Sequence, residues 1–130
     1  MSNTPYTILV IEDEPSLQKA IADKLEISGF RVITARSSKE ALELITKNKG
    51  INAIWLDHYL LGRDTGLNFL HEVKKLDDYK EIKVFVVSNS ISPDKTVAYF
   101  NTGVEKYYTK ANHRLDQIVT DIKDSLSVIT

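Results

Sequence analysis

Glu12, Asp13 and Glu14 follow one short apolar run, Asp57 follows a second, Ser88 a third, and Lys110 a fourth. If those runs are parallel strands of one sheet, their exits share one edge. These carboxylates, a hydroxyl and an ammonium would then share a single shallow pocket. Clustered carboxylates repel one another and need a cation. Hard oxygen ligands with room for water and phosphate oxygens suit Mg²⁺. A metal-bridged carboxylate can accept a phosphoryl group when an ammonium and a hydroxyl donor help to manage the charge in transfer. The residue set therefore suggests phosphoryl transfer onto an aspartate, a carboxylate nucleophile.

The elements that must position these groups alternate along the chain. Tyr6–Ile11 reads as a strand apolar on both faces, as a covered parallel sheet requires. Pro15 suits the first turn of a helix capped by Asp13 or Glu14. Leu17, Ala20, Ile21 and Leu25 give that helix an inward stripe, and Gly29 ends it. Arg31–Ala35 is the second strand. Ser37 and Glu40 form a capping-box pattern ahead of Ala41, Leu42, Leu44 and Ile45, with Gly50 ending that helix. Asn52–Leu56 is the third strand. A loop with Gly62 and Gly66 leads to a helix over Leu67, Leu70 and Val73. Lys83–Val87 is the fourth strand. Ser92 and Pro93 open a fourth helix, expected to turn Val97 and Phe100 inward and to end at Gly103. Lys106–Thr109 is the fifth strand. Leu115, Ile118, Val119, Ile122 and Leu126 mark the last helix. Five strand–helix units predict an α/β fold: a doubly wound, parallel, five-stranded sheet covered on both faces. Ligands in such a fold bind at the carboxyl ends of the strands, where strand order reverses.

Composition narrows the classes. The 130 residues fit a single domain over 1–130, with 42% hydrophobic and 27% charged residues. Lys+Arg 17 against Asp+Glu 18 supplies no basic footprint for direct nucleic-acid binding. The absence of cysteine excludes disulfides and thiolate-ligated metal centres. No signal-peptide pattern or membrane-length apolar run occurs, so the expected location is cytoplasmic.

Four segments carry a resemblance. ILVIEDEP (Ile8 to Pro15), IWLDHYL (Ile54 to Leu60), VFVVSNS (Val84 to Ser90) and GVEKYYTK (Gly103 to Lys110) resemble, in order, the site-bearing strands of response-regulator receiver domains. Each motif alone is weak; four in order, across essentially the whole chain, are specific. The resemblance implies a flavodoxin-like (βα)5 fold with strand order 2-1-3-4-5. It implies that Asp57 accepts a phosphoryl group from a sensor histidine kinase or a histidine phosphotransfer protein. Asp13, Asp57 and the Tyr59 backbone carbonyl would hold Mg²⁺ directly, with Glu12 reaching it through water. Ser88 and Lys110 would bind the phosphoryl group, and Tyr107 would be the aromatic whose position reports the state. The output would be a change of protein contacts on the face of the fourth helix, fifth strand and fifth helix. That face also allows a homodimer, and Lys95, Tyr99, Lys106 and Lys110 are expected on or near it. No enzyme activity beyond self-phosphorylation and self-dephosphorylation is implied, and the downstream partner is unspecified.

The chain departs from the family pattern in places. Ala111 follows Lys110 where proline, often behind a cis bond, is usual; a non-proline cis bond costs about 3 kcal/mol. Leu61 stands where proline is common, and the loop from Leu61 to Gly66 is one residue longer than usual. Asn89 replaces a small residue and would narrow access. Tyr59 and Ser90, each two residues past a site residue, are expected to flank the phosphoryl group and slow its hydrolysis.

Plainer readings stand beside these. The acidic run could only favour a helix start, Asp57 could be a loop acid, and Ser88 and Lys110 could be an ordinary strand-end residue and a solvated charge. Alternation sends Tyr107 and Tyr108 to opposite faces, so only one can be the switch. His58, His71 and His113 lack metal-ligand spacing and suit surface or packing roles, and Trp55 packs near the site. Three rival functions remain. A phosphorylation-independent pseudo-receiver would lack Mg²⁺ binding. A magnesium phosphatase would need a second acid where Tyr59 stands. A flavodoxin-like carrier would need a phosphate cradle where the acidic run stands.

Overall fold

The apolar runs become strands because each is flanked by amphipathic helices that cover both sheet faces. The computed structural model of the protein describes residues 5–89 and 91–127, with all side chains but those of 78 and 80. The elements are β1 (Thr7–Ile11), α1 (Pro15–Ile27), β2 (Arg31–Ala35), α2 (Ser38–Lys47), β3 (Ile51–Leu56), α3 (Gly66–Val73), β4 (Lys83–Ser88), α4 (Pro93–Asn101), β5 (Lys106–Thr109) and α5 (Leu115–Ser127). The strands form one parallel sheet in the order β2-β1-β3-β4-β5, as expected from the resemblance.

Alternate residues divide the core into two layers. Leu9, Ile11, Ile54, Leu56, Val84 and Val86 pack against Ala41 and Ile45 of α2, Phe69, Leu70 and Val73 of α3, and Tyr99 of α4. Ile8, Val10, Ala53, Trp55, Phe85, Val87 and Tyr108 face Ile21 and Leu25 of α1 and Ile118, Val119 and Ile122 of α5. Tyr107 and Tyr108 fall in opposite layers, as alternation requires. Burying each large side chain fully contributes about 1.5–3 kcal/mol, so the central strands anchor the site loops at their ends.

Local signals explain the helix starts. The Glu14 carboxylate caps α1, accepting from Ser16 N at 3.1 Å and Leu17 N at 2.7 Å. Ser37 caps α2 by accepting from Glu40 N at 3.2 Å. Glu40 does not complete the box: its carboxylate accepts from Arg36 N at 2.7 Å instead.

The expected inward stripes need two corrections. Ala20 is exposed, and α1 packs through Leu17, Ile21 and Leu25. On α4, Val97 and Phe100 are each 56% exposed, while Tyr99 is fully buried. The stripe runs through Thr96, Tyr99 and Thr102, one position round the helix from the most apolar side chains. Tyr99 therefore lies in the core and not on the outer face where it was expected.

Candidate functional site

The sheet ladder continues one residue past β1 and β3, which fixes where the acids emerge. Glu12 N donates to Ala35 O and Asp57 N to Ile11 O, both at 3.0 Å. Gln18 reaches under the turn, its Nε2 donating to Glu12 O and Ala35 O at 3.0 Å each. Glu12 and Asp57 are thereby held almost out of solvent, at 1% and 5% exposure. Asp13 is half-buried beside them, its carbonyl accepting from Arg36 Nε at 3.0 Å. One carboxylate oxygen from each of Glu12, Asp13 and Asp57 lies within 4.8 Å of the others.

Lys110 enters from the end of β5. Its Nζ lies 3.3 Å from Glu12 Oε1 and 3.5 Å from Asp57 Oδ1. This ammonium points into the pocket and not out on the face of the fourth and fifth helices. Asp57 Oδ1 also accepts from His58 N at 2.9 Å, and Glu12 Oε2 accepts from Glu14 N at 3.2 Å. Burial, and then the charge of Asp57, push the Glu12 carboxyl up to about 7 against the opposing pull of Lys110. Burial raises Asp57 in the same way, again opposed by Lys110. One ammonium thus leaves the three acids undercompensated. The donor set, hard oxygens crowded together and partly desolvated, fits Mg²⁺ and not a soft metal.

Ser88 is fully buried at the end of β4, its Oγ donating to Asn89 O at 3.0 Å, so it is turned along its own chain. Ser88 pairs in register with Thr109, one residue before Lys110. Tyr107 is half-buried, with its hydroxyl buried near Ser88 and Thr96 but well aligned to neither. Its ring lies 5.8 Å from that of Tyr99 and 6.3 Å from that of Phe100. Asn89 is exposed, Tyr59 is 51% exposed with its ring 4.7 Å from that of His58, and Ser90 lies outside the described residues. The loop after β3 folds back on itself: Tyr59 bridges Thr65, Leu60 N donates to Asp64 O at 3.1 Å, and Gly62 takes φ +75°. Among the described residues every peptide bond is trans, Lys110–Ala111 included.

The sequence suits His58 to a surface or packing role, with at most a modest effect on the environment of the adjoining Asp57. His58 is 1% exposed, and its Nδ1 lies 2.6 Å from the Tyr99 hydroxyl. The partners are 41 residues apart, and no motif spacing pairs them; the only signal was a histidine directly behind Asp57. Burial, then the charge of Lys95, lowers the His58 pKa and favours the neutral ring.

A model of the response regulator receiver domain matches residues 8–123. The two-component response regulator ORR3 of Oryza sativa subsp. indica is 30% identical over 103 residues, covering 79% of this chain and 78% of that protein. A CheY-like response regulator receiver domain protein from Methanospirillum hungatei JF-1 shares the fold, with TM-score 0.83 at 24% identity over 95% of this chain and 94% of that one. The Mn(2+)-bound form of response regulator Rcp1 superposes with TM-score 0.78 at 26% identity over 97% and 98% of the two chains.

Proposed function

Because this chain belongs to the response regulator receiver domain family of two-component signalling, we propose that it is a phosphorylation-controlled switch whose acceptor is Asp57. The observation that carries this reading is the meeting of Lys110 with both Glu12 and Asp57, at 3.3 and 3.5 Å, over a cluster of three acids. A phosphatase reading lacks a second acid at Tyr59, and a pseudo-receiver has no need of an intact charge set.

Glu12, Asp13, Asp57 and the Tyr59 carbonyl are the groups we assign to hold Mg²⁺. Bound there, the cation would offset the acids and the phosphoryl oxygens during transfer. A related receiver, Rcp1, has been solved with Mn(2+) bound, which accords with a divalent site. An Asp57 oxygen attacks the phosphorus of a phosphohistidine on a sensor kinase or histidine phosphotransfer protein. The P–N bond breaks, and its electron pair stays on the imidazole, which takes up a proton. The His58 amide and Lys110 fix the carboxylate for that attack, and Lys110 then pairs with the phosphoryl oxygens. Ser88 turns its hydroxyl from Asn89 O to the phosphoryl group, vacating space near the Tyr107 hydroxyl. Water attack on phosphorus later breaks the P–O bond and restores the carboxylate. Tyr59 and Asn89 line the approach of that water.

We read residues 1–130 as one receiver unit acting in the cytoplasm by protein contact through α4, β5 and α5, a face that could also pair two copies. Among the described residues no helix is long and apolar enough to cross a membrane. The test is intact mass after incubation with Mg²⁺ and acetyl phosphate. The reading predicts a gain of one phosphoryl mass, absent without Mg²⁺ and absent in Asp57→Asn. No gain in the wild type would favour the pseudo-receiver.

A further inference from the structure

We propose that His58 and Tyr99 form a positioning pair that couples the acceptor to α4 through a buried hydrogen bond. The inference rests on Asp57 being the acceptor.

His58 holds three elements at once. Its amide donates to Asp57 Oδ1 at 2.9 Å. Its carbonyl accepts from Gly66 N, the first residue of α3, at 2.7 Å. Its ring nitrogen Nδ1 meets the Tyr99 hydroxyl of α4 at 2.6 Å. Tyr99 is the buried anchor of α4 among its described neighbours, at 0% exposure. The Leu67 amide of α3 also lies against the Tyr99 oxygen, which leaves the Tyr99 proton for Nδ1. That arrangement places the remaining His58 proton on Nε2, which is buried without a partner.

Gly66 shows how closely the parts are fitted. A Cβ there would stand 2.5 Å from the Tyr99 hydroxyl and 2.7 Å from Asp57 O. A buried polar contact of this kind is costly to leave unmade, so it selects one arrangement of the joined elements. Any shift of the Asp57–His58 peptide on phosphorylation must either carry Tyr99 with it or break the contact. Tyr99 in turn stacks towards Tyr107, with ring centroids 5.8 Å apart. A displacement at the acceptor therefore reaches the α4 and β5 surface by a route that does not pass through Ser88.

The test compares α4 before and after phosphorylation by Mg²⁺ and acetyl phosphate, at equal phosphoryl occupancy read by intact mass. The readout is hydrogen exchange of the peptide spanning residues 93–101. Tyr99→Phe removes only the hydroxyl. His58→Leu removes the ring nitrogen, and His58→Asn restores a polar atom near the position of Nδ1. Wild type and His58→Asn should change α4 exchange on phosphorylation by roughly fivefold or more, the low end of ordinary coupling. Tyr99→Phe and His58→Leu should show little change. A wild-type response in Tyr99→Phe overturns the proposal. Should Tyr99→Phe loosen α4 before phosphorylation, His58→Asn is compared with His58→Leu, both keeping Tyr99, and equal responses overturn it. A wild type that gains no phosphoryl mass instead sinks the acceptor reading, and the coupling with it.

Discussion

Lys110 Nζ lies 3.5 Å from Asp57 Oδ1, although β4 separates the strands that carry the two residues. The ammonium crosses the sheet edge, and it also meets Glu12 at 3.3 Å. Its position makes it a partner for charge that develops at Asp57 and a competitor of any cation bound there. Lys110→Met should therefore slow phosphoryl uptake by about 10²–10³, as for loss of one charge-stabilising donor. The same variant should bind Mg²⁺ at least as tightly as wild type. Rates of mass gain and Mg²⁺ titration followed by Trp55 fluorescence separate the two effects. Weakened Mg²⁺ binding would contradict this view of Lys110.

The metal-free protein should lose stability as pH rises. Glu12 keeps its proton up to about 7 in the folded state, against an ordinary value of 4.5. Between those values the folded state binds more protons than the unfolded state, so the unfolding free energy falls as pH increases. The contribution is fully present below 4.5 and is lost as pH passes through about 7. Asp57, also raised by burial, acts in the same direction. Thermal melts without metal should show a falling Tm across that window, and Glu12→Gln should flatten it. Mg²⁺ at the upper end should recover the lost Tm in wild type.

Most of the fold was legible because periodicity and turn chemistry agreed. Each apolar run became a strand, and the acids, Ser88 and Lys110 emerged at one edge because parallel strands leave no other arrangement. The errors on α4 and at the start of α2 lie where a specific polar contact outweighed the local pattern. On α4, Val97 and Phe100 are the more apolar residues, yet Tyr99 is buried because its hydroxyl finds His58 within the core. A contact between residues 41 apart, on elements joined only through the tertiary fold, leaves no local pattern to read. The Glu40 carboxylate likewise chose the Arg36 amide over the Ser37 amide, a choice between neighbours that spacing does not decide.

Gly66→Ala should be destabilising by about 1–3 kcal/mol, the usual cost of overpacking a filled site. The new methyl would meet the Tyr99 hydroxyl at 2.5 Å, Asp57 O at 2.7 Å and the Leu56 side chain at 3.1 Å. Adding Tyr99→Phe should recover part of the loss, leaving the backbone clash in place. Chemical denaturation of the single and double variants checks this; strictly additive effects would show that Tyr99 is not the obstacle.

Tyr59→Ala should shorten the lifetime of the phosphorylated form several-fold. Tyr59 is 51% exposed two residues past Asp57, with its ring 4.7 Å from that of His58. Removing it opens the approach of water to phosphorus. The decay of phosphoryl mass after removal of the donor measures the effect, and an unchanged decay would exclude Tyr59 as a barrier.

The most direct test of the central claim is to locate the phosphoryl group. The phosphorylated protein is reduced with borohydride, which converts an aspartyl phosphate to homoserine, and the peptides are sequenced by tandem mass spectrometry. The account predicts homoserine at residue 57 and nowhere else. Label at Glu12 or Asp13, or an acid-labile phosphoryl group on His58 with residue 57 intact, would contradict it.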